Sequence, residues 1–105
     1  MTVVLRGVSI SGMIRSFKDE DSRKVWGRQF VKKIGPELSR AAYKKLLLID
    51  AATDINDLRI PPGNRLEKLV TDREGQHSIR VNDQYRICFV WKDGGADDVE
   101  ICDYH

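Results

Sequence analysis

Two arginines, Arg80 and Arg86, flank a polar triplet, Asn82-Asp83-Gln84. On either side of it, His77-Ser78-Ile79-Arg80-Val81 and Tyr85-Arg86-Ile87-Cys88-Phe89-Val90-Trp91 alternate with the period of half-buried strands. Ile79 and Val81 can share a face with Tyr85, Ile87 and Phe89 only if paired residue numbers sum to an even value, which requires an odd-length connection. In that register Arg80 and Arg86 lie on one face and can stand directly opposite each other. Facing guanidiniums repel unless water or an anion lies between them, so the pair suits a phosphate. The plainer alternative, and on these residues alone the commoner one, is that both reach solvent or pair with Asp83, Glu100 or Glu67.

The remaining chemistry-bearing residues are sparse. Cys88 and Cys102 are the only cysteines, too few and too far apart in sequence for a zinc site or a disulfide framework. They read as reduced thiols of a cytoplasmic protein, with no metal and no cofactor expected. His77 is a lone strand histidine, a type that more often fills structure than performs chemistry. Asn82 and Gln84 could read base edges from a hairpin tip, but amides there more commonly make the turn.

The elements that must position these residues follow from periodicity. Met13 to Phe17 reads as a short strand. Asp19, Glu20 and Asp21 favour a helix N-terminus, and Trp26, Phe30 and Ile34 recur at four-residue steps, predicting a helix that ends at Gly35. Pro36 opens a second helix carrying Leu38, Ala42, Leu46 and Ile49 at helical spacing, with Lys44 and Lys45 turned outward. Thr53 to Asn64 is turn chemistry and reads as an ordered surface loop. Arg65 to Val70 is a candidate strand, the two alternating runs form a hairpin, and Asp98 to Asp103 completes a meander across Asp93-Gly94-Gly95. The order is β-α-α-β-β-β-β, an α+β domain with a sheet on a two-helix hairpin. Trp26, Phe30, Phe89 and Trp91 belong by period to its core.

At 105 residues the chain suits one domain. No apolar run approaches a membrane span, and Met1 to Gly12 has no signal-like pattern, so neither secretion nor membrane contact is expected. Met13 reads as the ancestral start. The net charge of +2 hides an asymmetry: residues 1–50 carry eleven Lys/Arg against five Asp/Glu, and residues 51–105 carry seven against eleven. A basic helical half is a credible footprint for nucleic acid, although solvated helix faces look the same.

From Met13 onward the chain resembles the HigB toxins of the RelE-like superfamily. The resemblance is carried by the opening MIRSF, by LLLIDAATDINDLRIPPGNRLEKL, by DREGQHSIRVNDQYRICFVW and by the ending DYH, in that order and spacing. It leaves residues 1–12 as an extension and makes 13–105 the toxin domain, a twisted antiparallel sheet backed by two helices. It implies a ribosome-dependent endoribonuclease that cleaves messenger RNA. The ribose 2′-hydroxyl attacks the adjacent phosphate without metal, leaving a cyclic phosphate and a 5′-hydroxyl. The partners implied are a HigA-type helix-turn-helix antitoxin, the ribosome and mRNA, with operator DNA met only through the antitoxin.

That resemblance assigns roles. Arg86 takes the place of the phosphate-stabilising arginine, where a planar fork of donors does what lysine cannot, and Arg80 becomes a second clamp. His105 matches the terminal histidine, as acid, base or phosphate donor. Tyr104 stacks on a base, reaches the phosphate or merely seals the sheet edge, and Asp103 supports His105 or Arg86. Many relatives carry histidine where this chain has Glu67 and lysine where it has Val70. Glu67 remains a candidate general base, though a carboxylate is a weaker one than imidazole. Lys68 and Arg73 could compensate for Val70 on the RNA backbone, with His77, Asn82 and Gln84 as further contacts. Lys32, Lys33, Arg40, Lys44 and Lys45 meet ribosomal RNA or simply keep the helices soluble. Glu67 and Val70 also leave open a weakly catalytic protein that acts through antitoxin binding and operon repression, or through interference with ribosome assembly.

Overall fold

The computed structural model describes residues 13–70, 73 and 75–103. The extension 1–12 and the pair Tyr104-His105 lie outside them. Helix α1 (Glu20–Trp26) begins where Asp19 accepts the backbone N–H of Ser22 at 2.8 Å, with Glu20 and Asp21 on the favourable side of the helix dipole. It stops at Gly27, eight residues short of the expected end. Arg28 adopts a left-handed backbone (φ 62°) and its guanidinium lies 4.7 Å from the centre of the Tyr43 ring. The four-residue rhythm therefore misleads: Val31 takes the buried position, and Phe30 is 72% exposed rather than in the core.

Helix α2 (Pro36–Ala51) follows Gly35, whose φ of 82° suits glycine, and Pro36 supplies the first turn. Ala42, Leu46 and Ile49 are fully buried, as their spacing requires. The ordered loop forms two 3-10 turns, Ile55–Arg59 and Pro62–Asn64. In the first, Asp54 and Asp57 cap each other's backbone, and Leu58 is driven into the core.

The sheet is an antiparallel meander of β1 (Glu67–Lys68), β2 (Gln76–Arg80), β3 (Tyr85–Lys92) and β4 (Gly95–Asp103), in that spatial order. β1 is shorter than the expected Arg65–Val70. β4 starts before Asp98, because Asp93 and Gly94 both take positive φ and close a tight hairpin. The first strand-like segment pairs in parallel with β4, through Ile14 with Ala96 and Phe17 with Val99. The sheet is thus antiparallel except at that added edge.

One sheet face carries Ile79, Ile87, Phe89 and Val99 against Val25, Leu46, Ile49 and Leu58. Burial of this set is the main stabilising term. Buried Ser22 adds a polar tie, its hydroxyl accepting the N–H of Ile101 at 3.0 Å. Alternation turns Ser78, Arg80, Arg86, Cys88 and Cys102 to the other face, where Cys88 and Cys102 pack with Leu69. Among the described residues, no helix is long and apolar enough to cross a membrane.

Candidate functional site

The hairpin between β2 and β3 has the odd-length tip that the pattern demands. Val81 N–H donates to the Tyr85 carbonyl at 2.9 Å, and the Asn82 side-chain oxygen accepts the N–H groups of Gln84 (2.9 Å) and Tyr85 (2.8 Å). Asn82 is therefore a turn builder first. The resulting register pairs Ile79 with Ile87 and sets Arg80 directly opposite Arg86.

The two arginines differ in character. Arg86 is only 7% exposed. Its Nε donates to the Ser78 hydroxyl at 2.7 Å, and one terminal nitrogen donates to the carbonyls of Arg65 at 2.6 Å and Ser78 at 3.4 Å. Glu67 lies 3.6 Å from that terminal nitrogen, with half of its own side chain in solvent. Burial of a guanidinium is tolerable only with such partners. Arg80 is more open and pairs with the fully exposed Asp83. Two of the three carboxylates foreseen as partners, Asp83 and Glu67, thus pair with these arginines, whereas Glu100 pairs with Arg73 and Lys18, and Arg86 is buried rather than open to solvent.

Around them opens a cleft of about 510 Å³, lined by Gly63, Arg65, Glu67, Arg80, Asn82, Asp83 and Arg86. Its far wall is the end of the second 3-10 turn. Asn64, wholly buried, donates to the carbonyls of Leu58 (3.1 Å) and Ile60 (3.4 Å) and accepts from Lys45 at 2.6 Å. Lys45 is therefore turned toward the loop and not outward. This arrangement places Arg65 in a left-handed conformation (φ 46°), with its carbonyl on Arg86 and its side chain on the cleft.

Arg65, Ser78 and Asn64 escaped the sequence reading. Ser78 was legible as a same-face neighbour of Arg86 once the register was known. Arg65 and Asn64 act through loop geometry that no periodicity encodes.

The other candidates scatter. Gln84 donates to Asp103 at 3.2 Å, so these two sit together beyond the hairpin tip. Arg73 shares the sheet face of Arg86 but is engaged by Glu100 at 2.9 Å and Gln76 at 3.1 Å, and the hydrogen bond to Glu100 raises the pKa of its guanidinium. Lys68 and His77 are paired across β1 and β2 and point to the opposite face, where His77 stacks on Phe89 at 6.3 Å. Its Nδ1 is buried without a hydrogen-bond partner among the described residues. Burial, with Lys68 and Arg59 nearby, lowers its pKa. The structure does not bring His77 or Lys68 to the cleft. Val70 is exposed and contributes no charge. Cys88 and Cys102 are free and buried, and the contact with the Cys88 thiol, together with burial, pushes the pKa of the Cys102 thiol up.

Chemically, the cleft offers a buried, geometrically fixed guanidinium fork, a second fork facing it and a half-exposed carboxylate at 3.6 Å. Fold and cleft together define a small α+β protein that gathers three arginines and a carboxylate on the open face of a meander sheet.

The family model described as RelE-like toxin of type II toxin-antitoxin system HigB matches residues 15–105. The chain is 43% identical over 90 residues to Toxin HigB-1 of Vibrio cholerae serotype O1, across 80% of this chain and 90% of that one. An uncharacterized protein of Haemophilus influenzae is 43% identical over 60 residues, 57% of this chain and 59% of that protein. Among solved structures, the YoeB-YefM complex from Staphylococcus aureus superposes with a TM-score of 0.58 at 17% identity, covering 88% of this chain and 97% of the matched one. At that identity it supports the fold alone. The chain belongs to the RelE-like toxins of type II toxin-antitoxin systems, in the HigB family.

Proposed function

We propose that this toxin is a ribosome-dependent endoribonuclease that cuts messenger RNA by attack of a ribose 2′-hydroxyl on the adjacent phosphate. The observation that carries the reading is the buried Arg86, fixed by Ser78 and the Arg65 carbonyl and set opposite Arg80 in an open cleft. A phosphorane gathers negative charge on its equatorial oxygens, and a preorganised fork stabilises it without reorganising during the reaction. Arg80 exchanges Asp83, which is fully solvated, for the phosphate.

In this reading Glu67, 3.6 Å from Arg86 and half-exposed, takes the 2′-proton once the phosphate displaces its contact with that guanidinium. His105 protonates the leaving 5′-oxygen, Tyr104 stacks on a base, and Asp103 and Gln84 support that end of the site. Residues 13–105 form the toxin domain and 1–12 an extension to it. The toxin works in the cytoplasm on mRNA and the ribosome, held by a HigA-type antitoxin that also mediates its contact with operator DNA.

A second reading, a weakly catalytic toxin acting through antitoxin binding and repression, is favoured by one feature: exposed, uncharged Val70 beside Glu67 in place of stronger groups. Expression without antitoxin, with mapping of messenger 5′ ends, separates the two. The nuclease reading expects growth arrest and new ends that vanish in Arg86→Ala and on deletion of His105. Normal growth with no new ends from the unaltered chain sinks it.

A further inference from the structure

Arg59 to Gly63 and Arg65 are all exposed, and between them Asn64 is wholly buried. Apolar burial therefore does not fix this stretch, and its shape rests on the polar contacts of one amide. Opposite demands set the two ends of that amide. The carbonyls of Leu58 (3.1 Å) and Ile60 (3.4 Å) can only accept, so Nδ2 must face them. The ammonium of Lys45 can only donate, so Oδ1 must face it, at 2.6 Å.

Lys45 reaches the amide from a firmly held helix. α2 buries Ala42, Leu46 and Ile49 in the core and turns Arg40, Lys44 and Leu47 to a basic groove of about 500 Å³ shared with Arg28. Lys45 belongs to neither side. It is half-buried, and among the described residues no carboxylate pairs with it. Its ammonium is committed to Asn64.

From the amide the geometry runs on to the cleft. Asn64 N–H donates to the Pro61 carbonyl at 3.0 Å and Arg65 N–H to the Pro62 carbonyl at 3.1 Å, which closes the turn. Arg65 then takes φ 46°, a left-handed conformation that a residue with a side chain holds only where its surroundings impose it. That conformation directs the Arg65 carbonyl to the Arg86 terminal nitrogen at 2.6 Å.

We infer that Lys45, which does not itself line the cleft, is a positioning residue for it, acting through Asn64 and Arg65 to aim the Arg86 fork. The inference rests on the reading of Arg86 as the group that stabilises the reacting phosphate.

The test compares the full chain with Lys45→Met, which keeps the apolar stem and loses the donors, and Lys45→Arg, which keeps donors. One readout is the Arg86 Nε–H resonance and its exchange with solvent, and the other is cleavage on programmed ribosomes. Lys45→Met is expected to move that resonance and speed its exchange by roughly tenfold. It is also expected to lower kcat by about tenfold or more with KM almost unchanged. Lys45→Arg should restore both readouts. In an Asn64→Ala background Lys45→Met should change neither further, because the amide it acts through is gone.

A Lys45→Met chain that melts earlier but keeps the Arg86 resonance and kcat, or that unfolds throughout, overturns the inference. So does a loss that Lys45→Arg fails to restore, or one undiminished in the Asn64→Ala background. A rise in KM alone overturns it as well and places Lys45 on ribosomal RNA. If the unaltered chain cuts no messenger, the ribonuclease reading fails, and the Arg86 resonance decides by itself whether Lys45 positions the fork.

Discussion

Arg86 is where residue-level chemistry is most constrained. Its Nε and terminal nitrogen are committed to Ser78 and Arg65, which aims the fork and fixes its rotamer. A lysine keeps the charge and loses that geometry, so Arg86→Lys should lower single-turnover cleavage on programmed ribosomes by about a hundredfold. A rate within a fewfold of the original would remove Arg86 from the mechanism. Ser78→Ala leaves a buried guanidinium nitrogen without its hydroxyl acceptor. Urea unfolding should show a loss of about 1–3 kcal/mol, and cleavage should fall in kcat more than in KM. His77 offers a pH test separate from catalysis. Its folded pKa lies below its unfolded value, so the unfolded chain takes up the proton first. The contribution of neutral His77 to stability is present above about pH 6.5 and is lost as pH falls through the folded pKa. His77→Phe should flatten the dependence of thermal stability on pH in that acid window, and an unchanged profile would assign the dependence to other groups.

Elements position these residues, and they were not equally legible. The β2–β3 hairpin was plainly legible because parity is strict: only even-sum registers bury Ile79 and Ile87 together, and the one adopted among them places Arg80 opposite Arg86. α2 was equally plain, with an apolar stripe and Pro36 to start it. α1 was overextended because Phe30 imitates the helical rhythm, while the break at Gly27 and Arg28 depends on a tertiary contact with Tyr43. The parallel pairing of residues 14–17 with β4 is a long-range choice invisible to local pattern. So is the loop that carries Arg65 to the cleft, held by Asn64 through partners on α2 and on its own turns. Asn64→Ala should therefore cost about 1–3 kcal/mol and also weaken cleavage by loosening the Arg65 carbonyl on Arg86. Full stability in thermal melts would mean that the loop is held by other contacts.

At the scale of the whole molecule, the two concave features lie on opposite sides of one sheet. The helical face buries the core and carries the basic groove on its outer side, and the open face carries the arginine cleft. The charge asymmetry of the chain, basic in its helical half and acidic in its sheet half, matches this division. The cleft gathers its cations locally, from Arg65, Arg80 and Arg86, within a half that is acidic overall. Naked RNA should consequently bind weakly, and positioning by the ribosome should supply what electrostatic attraction does not.

The central claim is the attacking group. The purified toxin should be given programmed ribosomes whose messenger carries a single 2′-deoxy sugar immediately 5′ to the cut bond, alongside the all-ribose messenger. The account predicts cutting of the all-ribose messenger to a cyclic phosphate and a 5′-hydroxyl, and an intact deoxy messenger. Cutting of the deoxy messenger at the same bond, or a product ending in a 3′-hydroxyl, would contradict it.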